Sequence, residues 1–477
     1  MESLITFISF GFFLIMFLWV GALAAKFSEN TDSDYLLANR AFGKYFIALS
    51  AGATANSGYV MTGIVGFGYS KGISALLFLL AFFLGELIFW NFFADKINKI
   101  SLEQGSQTVP ELVGATVQKP QGKKLVTSIV ALISIVFVGV YTAAQFYASA
   151  KILNAFFGIN LKIGAVISAV LILAYCVKGG LRASVWTDVV QAIVVIFVSF
   201  GVLIVSTIAA GSIPEIATKL YSIDPELTNI FSGFTWWTLI AYMSGFAFAG
   251  MGFGLSQPQY LVRLMAGRNP NEVRQAKWIY LFFGYSTSIV MLLFGVICRI
   301  LIPEINDPEQ ALPLYAVQNF HPFFIGVVLA GVFSIIASTA DSQILVCSSA
   351  LAKDISPALY RRMSAKYGLK YHQFMTLLFG IIAVSATNFI TSTIFSLIIF
   401  STAGLAGSIS PAMFITILKI RTNYVALSGT ILVGLVSSII WRFLEYNQLI
   451  NEALPAFLIA LLFHEIFMRI RKEEISV

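Results

Sequence analysis

The segment Ser338-Thr339-Ala340-Asp341-Ser342 gathers hydroxyls and a carboxylate in the middle of a long apolar run. Asp341 follows Ser338 by three residues, so on a helix both face the same way. A second acid, Asp188, stands in Trp186-Thr187-Asp188-Val189-Val190-Gln191, and a third, Glu86, in Leu84-Gly85-Glu86-Leu87. A carboxylate inside an apolar run is costly and is by default a functional candidate, with an ion, a proton or a basic residue as its partner. Hydroxyl and carboxylate oxygens together suit a hard cation such as Na⁺. Glu86 suits either a proton site or a structural hydrogen-bonding role. His321, His372 and His464 share no ligand spacing, so no transition-metal site is expected.

The elements that must carry these residues are membrane helices. Hydrophobic residues make up 58% of the 477 positions and charged residues 11%, against about 25% charged in soluble domains. That is too little charge to coat a water-facing surface, so the bilayer is expected as the main solvent. At about 20 apolar residues per crossing, thirteen spans are expected. They cover 4–25, 44–68, 73–94, 125–150, 161–177, 185–210, 234–257, 278–302, 322–352, 371–390, 392–418, 424–443 and 453–468. Met1-Glu2-Ser3 carries no basic residue before the first run, which reads as a retained span and not a cleaved leader.

With the N-terminus outside, 30 basic residues sort almost wholly to the cytoplasmic loops. Only Lys71, Lys151, Lys162, Lys219, Arg299 and Arg442 fall on the outer side. The net charge of +7 is therefore a topology signal under the positive-inside rule, not a nucleic-acid patch. Cys176, Cys298 and Cys347 lie in apolar runs, and no disulfide is expected. No G-x-x-x-x-G-K-[ST] loop occurs, which argues against nucleotide-driven pumping within this chain.

Two spans are poor material for continuous helix. The second contains Ser50-Ala-Gly-Ala-Thr-Ala-Asn-Ser-Gly58, and the seventh has glycine at 245, 250, 252 and 254 before Pro258. Irregular backbone at membrane depth is tolerated where it lines a cavity or is buried in protein. Interrupted spans at matching positions of two halves point to an inverted-repeat transporter. Spans two and seven are five apart, giving repeats over 44–210 and 234–418, an extra helix and loop over 1–43, and two more helices with a tail over 419–477. Small residues also suit close helix packing, so both readings stand.

Taken together, the residues are similar to the sodium:solute symporter family, closest to its sodium/proline branch. The resemblance covers nearly the whole chain. It rests on Asp34-Tyr-Leu-Leu, Ser50-Ala-Gly-Ala, Tyr175-x-x-x-Gly179-Gly180-Leu-x-Ala with Trp186-Thr-Asp-x-x-Gln191, Gln257-Pro258 with Arg263-x-Met-Ala, and Ser338-Thr-x-x-Ser-Gln-x-Leu-Val-Cys-Ser-Ser349. It implies an all-α, leucine-transporter-like five-plus-five fold with one extra helix before and two after. It implies a principal Na⁺ site of the Ala53, Asn56 and Ile335 carbonyls with the Ser338 and Thr339 hydroxyls. A second site, present in some relatives, would use Asp188, Ser338, Asp341 and Ser342. Two departures from the branch stand out. Ala55 replaces an aspartate, and Gly250 and Gly254 replace a tryptophan and a tyrosine.

The expected function is Na⁺-coupled symport of a small organic solute into the cell by alternating access, amino-acid-like and with proline among the candidates. Proton-coupled uptake, or a sensor or channel on the same fold, are the alternatives; no signalling domain follows the last span up to Val477. Solute is expected near Ser57, Gly58, Tyr141, Gly250, Gly254 and Gln257, the two glycines leaving room for it. Tyr141 suits a pocket wall or ordinary packing equally. The chain is expected in the plasma (inner) membrane with a cytoplasmic C-terminus. Its partners would be the lipid bilayer and the solute, with no nucleic acid, no obligate protein partner and no enzymatic activity.

Overall fold

A computed structural model describes residues 2–29 and 31–475, and nearly all of them are helical. The only β-type pairing among them is an isolated bridge between Phe42 and Gly267. The first helix, α1 (Glu2–Ala25), is followed by a broken pair, α2 (Lys44–Met61) and α3 (Gly63–Lys71). Next come α4 (Leu76–Phe92), α5 (Pro120–Phe157) and α6 (Leu161–Ala210). A second broken pair follows, α7 (Trp236–Ser256) and α8 (Pro258–Met265), then α9 (Pro270–Leu301) and α10 (Pro322–Ser349). The chain ends with α11 (Leu369–Ala386), α12 (Ile394–Ile417), α13 (Tyr424–Phe443) and α14 (Ala453–Ile475).

Eleven stretches among the described residues are long and apolar enough to cross a membrane, not thirteen. Two features account for the difference. The small and polar residues of α2 keep it below the apolarity of a lone span, and the expected fifth and sixth spans run on as one 50-residue helix, α6. That helix is not straight. Gly180 takes φ 53° and ψ −147°, a left-handed conformation that glycine adopts without a Cβ penalty. A Cβ there would meet the Tyr35 carbonyl oxygen at 2.6 Å, so the same glycine admits the short helix Asp32–Leu37 against α6.

The other breaks have local causes. In α2, Ser57 sits at φ 46° and ψ 179°, and the Gly58 N–H beyond it donates to Gln145 Oε1 at 2.9 Å instead of to its own helix. A buried serine held in a left-handed conformation costs on the order of 1–3 kcal/mol and persists only where surrounding contacts impose it. Between α7 and α8, Gln257 takes φ −81° and ψ 105°, as a residue before proline is pushed to do, and Pro258 starts α8 where a missing N–H costs nothing. The glycine-rich run ahead of it stays helical through Ser256. The expected interruption across Gly250–Gln257 is thus confined to its last residue.

The glycines of α4 and α7 instead let two backbones meet. A Cβ on Gly85 would overlap the Ala247 carbonyl, and one on Gly250 would overlap that of Phe82. Elsewhere α9 packs along α2 and α3, and α10 lies against α6, α5 and α2. Glutamate 86, Asp188, Asp341 and Arg263 are all buried in this bundle.

On the short helix Asp32–Leu37, Asp34 pairs with Arg182 and accepts from the Glu29 N–H at 3.1 Å. Burial pushes the Asp34 carboxyl up. Hydrogen bonds from Arg182 and Ser28 and the guanidinium charge outweigh that and leave it below its usual value. The stability it contributes is therefore present above its ordinary value of about 4 and is lost as pH falls through the lowered one. Asp34→Asn should lower the melting temperature at pH 7 and flatten the acid side of its pH profile. A variant whose acid loss stays as steep as the wild type's would remove Asp34 from that role. Separately, Gly85→Ala should cost about 1–3 kcal/mol by overpacking, read as a lower melting temperature of the purified protein. An unchanged melting temperature would mean α4 and α7 do not touch there.

Candidate functional site

A polar cluster joins α2, α6, α8 and α10. At its centre is Arg263, fully buried on α8. Its Nε donates to Ser50 Oγ at 3.2 Å and its Nη1 to the Gln259 carbonyl at 2.7 Å. Its Nη2 reaches Ser184 Oγ at 2.9 Å, Asp188 Oδ2 at 3.3 Å and the Ser342 hydroxyl. Ser50 in turn donates to Asp188 Oδ2 at 2.5 Å. Ser184 donates to Asp341 Oδ1 at 2.8 Å, and the Ser342 hydroxyl lies 2.9 Å from the same oxygen.

Thus the four residues expected for a second ion site, Asp188, Ser338, Asp341 and Ser342, do come together. Three of their buried oxygens, Asp188 Oδ1, Asp341 Oδ2 and Ser338 Oγ, make no hydrogen bond of good geometry among the described residues, with Ser338 set beside Asp188 and Tyr175 beside Asp341. A poorly paired buried acceptor is unfavourable by about 1–3 kcal/mol, more when charged, and a bound cation would relieve such oxygens. The donor set fits Na⁺: oxygens only, two of them anionic.

The residues expected for the principal site lie one turn away. Thr339 Oγ1 stands 3.1 Å from the Thr54 carbonyl and 3.1 Å from that of Ile335, tying α10 to α2 just before the Ser57 break. The Ala53 and Asn56 carbonyls belong to that last turn, where a helix end leaves acceptors without intrahelical partners. The Asn56 side chain is engaged elsewhere, donating to Thr287 Oγ1 at 2.7 Å.

Beside this cluster is a cavity with about 70 Å³ of room for the centres of water-sized molecules. One water needs roughly 10–15 Å³ on that measure, so the space holds a small solute. Asn56 and Tyr141 line it, and so does Ala55. Tyr141 donates to Ser57 Oγ at 3.0 Å, linking the cavity wall to the break.

Gly250 and Gly254 do not line the cavity, which corrects the expectation that they leave room. The Phe82 backbone and the Phe89 ring fill the space a side chain would need at each. Gln257 is likewise buried away from the cavity, accepting from Gln259 Nε2 at 2.9 Å. Ser57 is linked to the cavity wall by the Tyr141 hydroxyl, whereas the Gly58 N–H donates to Gln145, which does not line the cavity.

Sequence reading missed Arg263, sorting it with the cytoplasmic basic residues. Its signal was its place: five residues past Pro258, on the helix that resumes at the break and therefore still within the bundle. Ser50 and Ser184 were missed as ligands because serine in a small-residue run also reads as packing.

Helices broken beside a buried oxygen cluster and a small cavity define a membrane transporter, with a leucine-transporter-like fold. The structure matches the substrate-bound outward-open state of a Na⁺-coupled sialic acid symporter with a TM-score of 0.81 at 18% identity, over 97% of this chain and 96% of that one. The chain belongs to the sodium:solute symporter family, whose profile matches residues 35–434. It is similar to the osmoregulated proline transporter of Bacillus subtilis, 26% identical over 95% of this chain and 92% of that protein. It is also similar to the sodium/proline symporter of Salmonella typhimurium, 26% identical over 95% and 90%. The protein is accordingly an integral plasma-membrane transporter, not an enzyme, and couples Na⁺ to the movement of a small organic solute.

Removing the central cation tests the cluster. Arg263→Gln should destabilise the protein by about 3–5 kcal/mol in Na⁺-free buffer, because it strands buried carboxylates. Added NaCl should recover more stability in the variant than in the wild type. Melting curves that coincide with the wild type's in both buffers would show that Arg263 does not hold the cluster.

Proposed function

We propose that the protein carries an amino-acid-like solute, with L-proline the first candidate, into the cell by alternating access. Ala53, Asn56 and Ile335 supply carbonyls and Ser338 and Thr339 supply hydroxyls to the principal Na⁺; Asp188, Ser338, Asp341 and Ser342 supply the second. The segments 44–210 and 234–418 act as the two repeats, with the N-terminus outside and the C-terminus in the cytoplasm. The observation that carries this reading is the Ser338–Ser342 stretch of α10 facing α2 at its break, with acceptor oxygens poorly paired. Two relatives named for proline support the solute class.

The energetics suffice for accumulation. One Na⁺ entering down a tenfold gradient releases about 1.4 kcal/mol, and a potential of about 150 mV adds roughly 3.5 kcal/mol. The sum of about 5 kcal/mol supports concentration of a neutral solute by a few thousand-fold.

Labelled L-proline should accumulate in proteoliposomes under an inward Na⁺ gradient and not without one. Ser338→Ala and Thr339→Ala should each raise the Na⁺ concentration for half-maximal uptake, by an amount equivalent to about 1–3 kcal/mol for a lost buried oxygen contact. Uptake that follows a proton gradient in sodium-free buffer would overturn the ion assignment. Unchanged Na⁺ dependence in both variants would leave these hydroxyls bonding only within the bundle.

A further inference from the structure

Glu86 takes no part in the ion cluster, yet it is a carboxylate in the wall of the solute cavity. It is buried, 3% exposed. Tyr280 donates to its Oε1 at 2.6 Å and Tyr285 to its Oε2 at 3.0 Å. Two phenolic donors, one on each oxygen, fix the orientation of the carboxyl group. Two carboxylate oxygens offer about four acceptor positions, so capacity remains for a further donor from the cavity.

The rest of the wall is aromatic. Tyr59, Phe78, Phe82, Tyr141, Phe253 and Tyr285 surround the space. The electron-rich faces of such rings attract a cation within about 6 Å, most strongly where water is excluded. The Tyr59 hydroxyl is buried and has no hydrogen-bond partner among the described residues, so a polar group of the wall is still unsatisfied. No lysine, arginine or histidine lines the cavity among the described residues. Nothing there neutralises a free anion, whereas a positive charge meets both a carboxylate and a ring of aromatic faces.

We propose that Glu86, set by Tyr280 and Tyr285 within an aromatic wall, binds a positively charged nitrogen of the solute. The transported molecule is therefore an ammonium compound, such as an amino acid, an amine or a betaine, and not a simple anion. This rests on the amino-acid-like reading above and names the group that makes it selective. A carboxylate on the same solute meets only neutral donors in this wall, among them the Tyr59 hydroxyl.

The test is ligand-dependent thermal stabilisation of the purified full chain in NaCl, wild type beside Glu86→Gln and Glu86→Asp. The probes are L-proline, pyrrolidine and choline, with tetrahydrofuran-2-carboxylate and N-acetylneuraminate as compounds lacking a cationic nitrogen. Wild type should be stabilised by ammonium probes and at least tenfold less effectively by the oxygen isostere of proline. E86Q should bind the ammonium probes at least tenfold more weakly, E86D should recover part of that loss, and stabilisation by Na⁺ alone should be unchanged in both. The wild-type comparison decides the matter even if E86Q does not fold. Equal binding of L-proline and tetrahydrofuran-2-carboxylate to wild type overturns the inference, as does full-strength binding of ammonium probes to E86Q; either leaves the amino-acid reading standing. A wild type that binds none of the ammonium probes overturns both.

Discussion

Arg263 and Asp188 are both fully excluded from solvent and 3.3 Å apart. Removing two charges from water costs several kcal/mol for each, and their attraction repays it only when every remaining donor and acceptor is placed. Here that placement uses Ser50 from α2, Ser184 and Asp188 from α6, and Ser342 from α10. Four helices are held in register by one guanidinium. The small residues of α2 follow from this, because bulky side chains around Ser50 would hold α8 and its arginine away. Asp341 then adds a second negative charge beside one fixed positive charge, so the cluster carries an unbalanced charge when both acids are ionised. A mobile cation has a reason to enter.

Much of this is legible in the sequence alone. Asp188 and the Ser338–Ser342 stretch stood out because carboxylates and clustered hydroxyls are rare inside apolar runs, and the resemblance placed them in one site. The location of the break in α2 was legible too, since Ser57-Gly58 interrupts a run that has almost no bulky side chains. What stayed hidden shares one cause: a residue type that serves two purposes. A glycine leaves space, and Gly250 and Gly254 were read as space for a solute when that space belongs to α4. Arg263 was read as a loop charge because proximity to a break is a three-dimensional property. The boundary at Gln257 is set by the ring of Pro258, so proline outweighed the glycines in deciding where the helix stops.

Glu86 illustrates how environment assigns a role. Sequence left it between proton exchange and a structural hydrogen bond. The structure adds its neighbours, two phenols on successive turns of α9 and a wall of rings. Acidity and location together suit recognition of charge. Ala55 is pertinent here, since Ala55 and Glu86 border the same space. Among the described residues, the one carboxylate in its lining is carried by α4.

The contact between α4 and α7 has a mechanical side. At Gly85 and Gly250 carbonyls of one helix rest directly on the other's backbone, with no side chain between them. Side chains can change rotamer and absorb a slide of an ångström or so, but abutting main chains cannot, and their steric limit is steep. These two helices therefore behave as a single stiff plank. Glu86 rides on it, whereas the tyrosines that hold it are anchored to α9, outside the plank. Any rocking between those bodies stretches or relaxes the phenol–carboxylate contacts, so the grip on a solute's charge becomes a gauge of how far the transporter has turned.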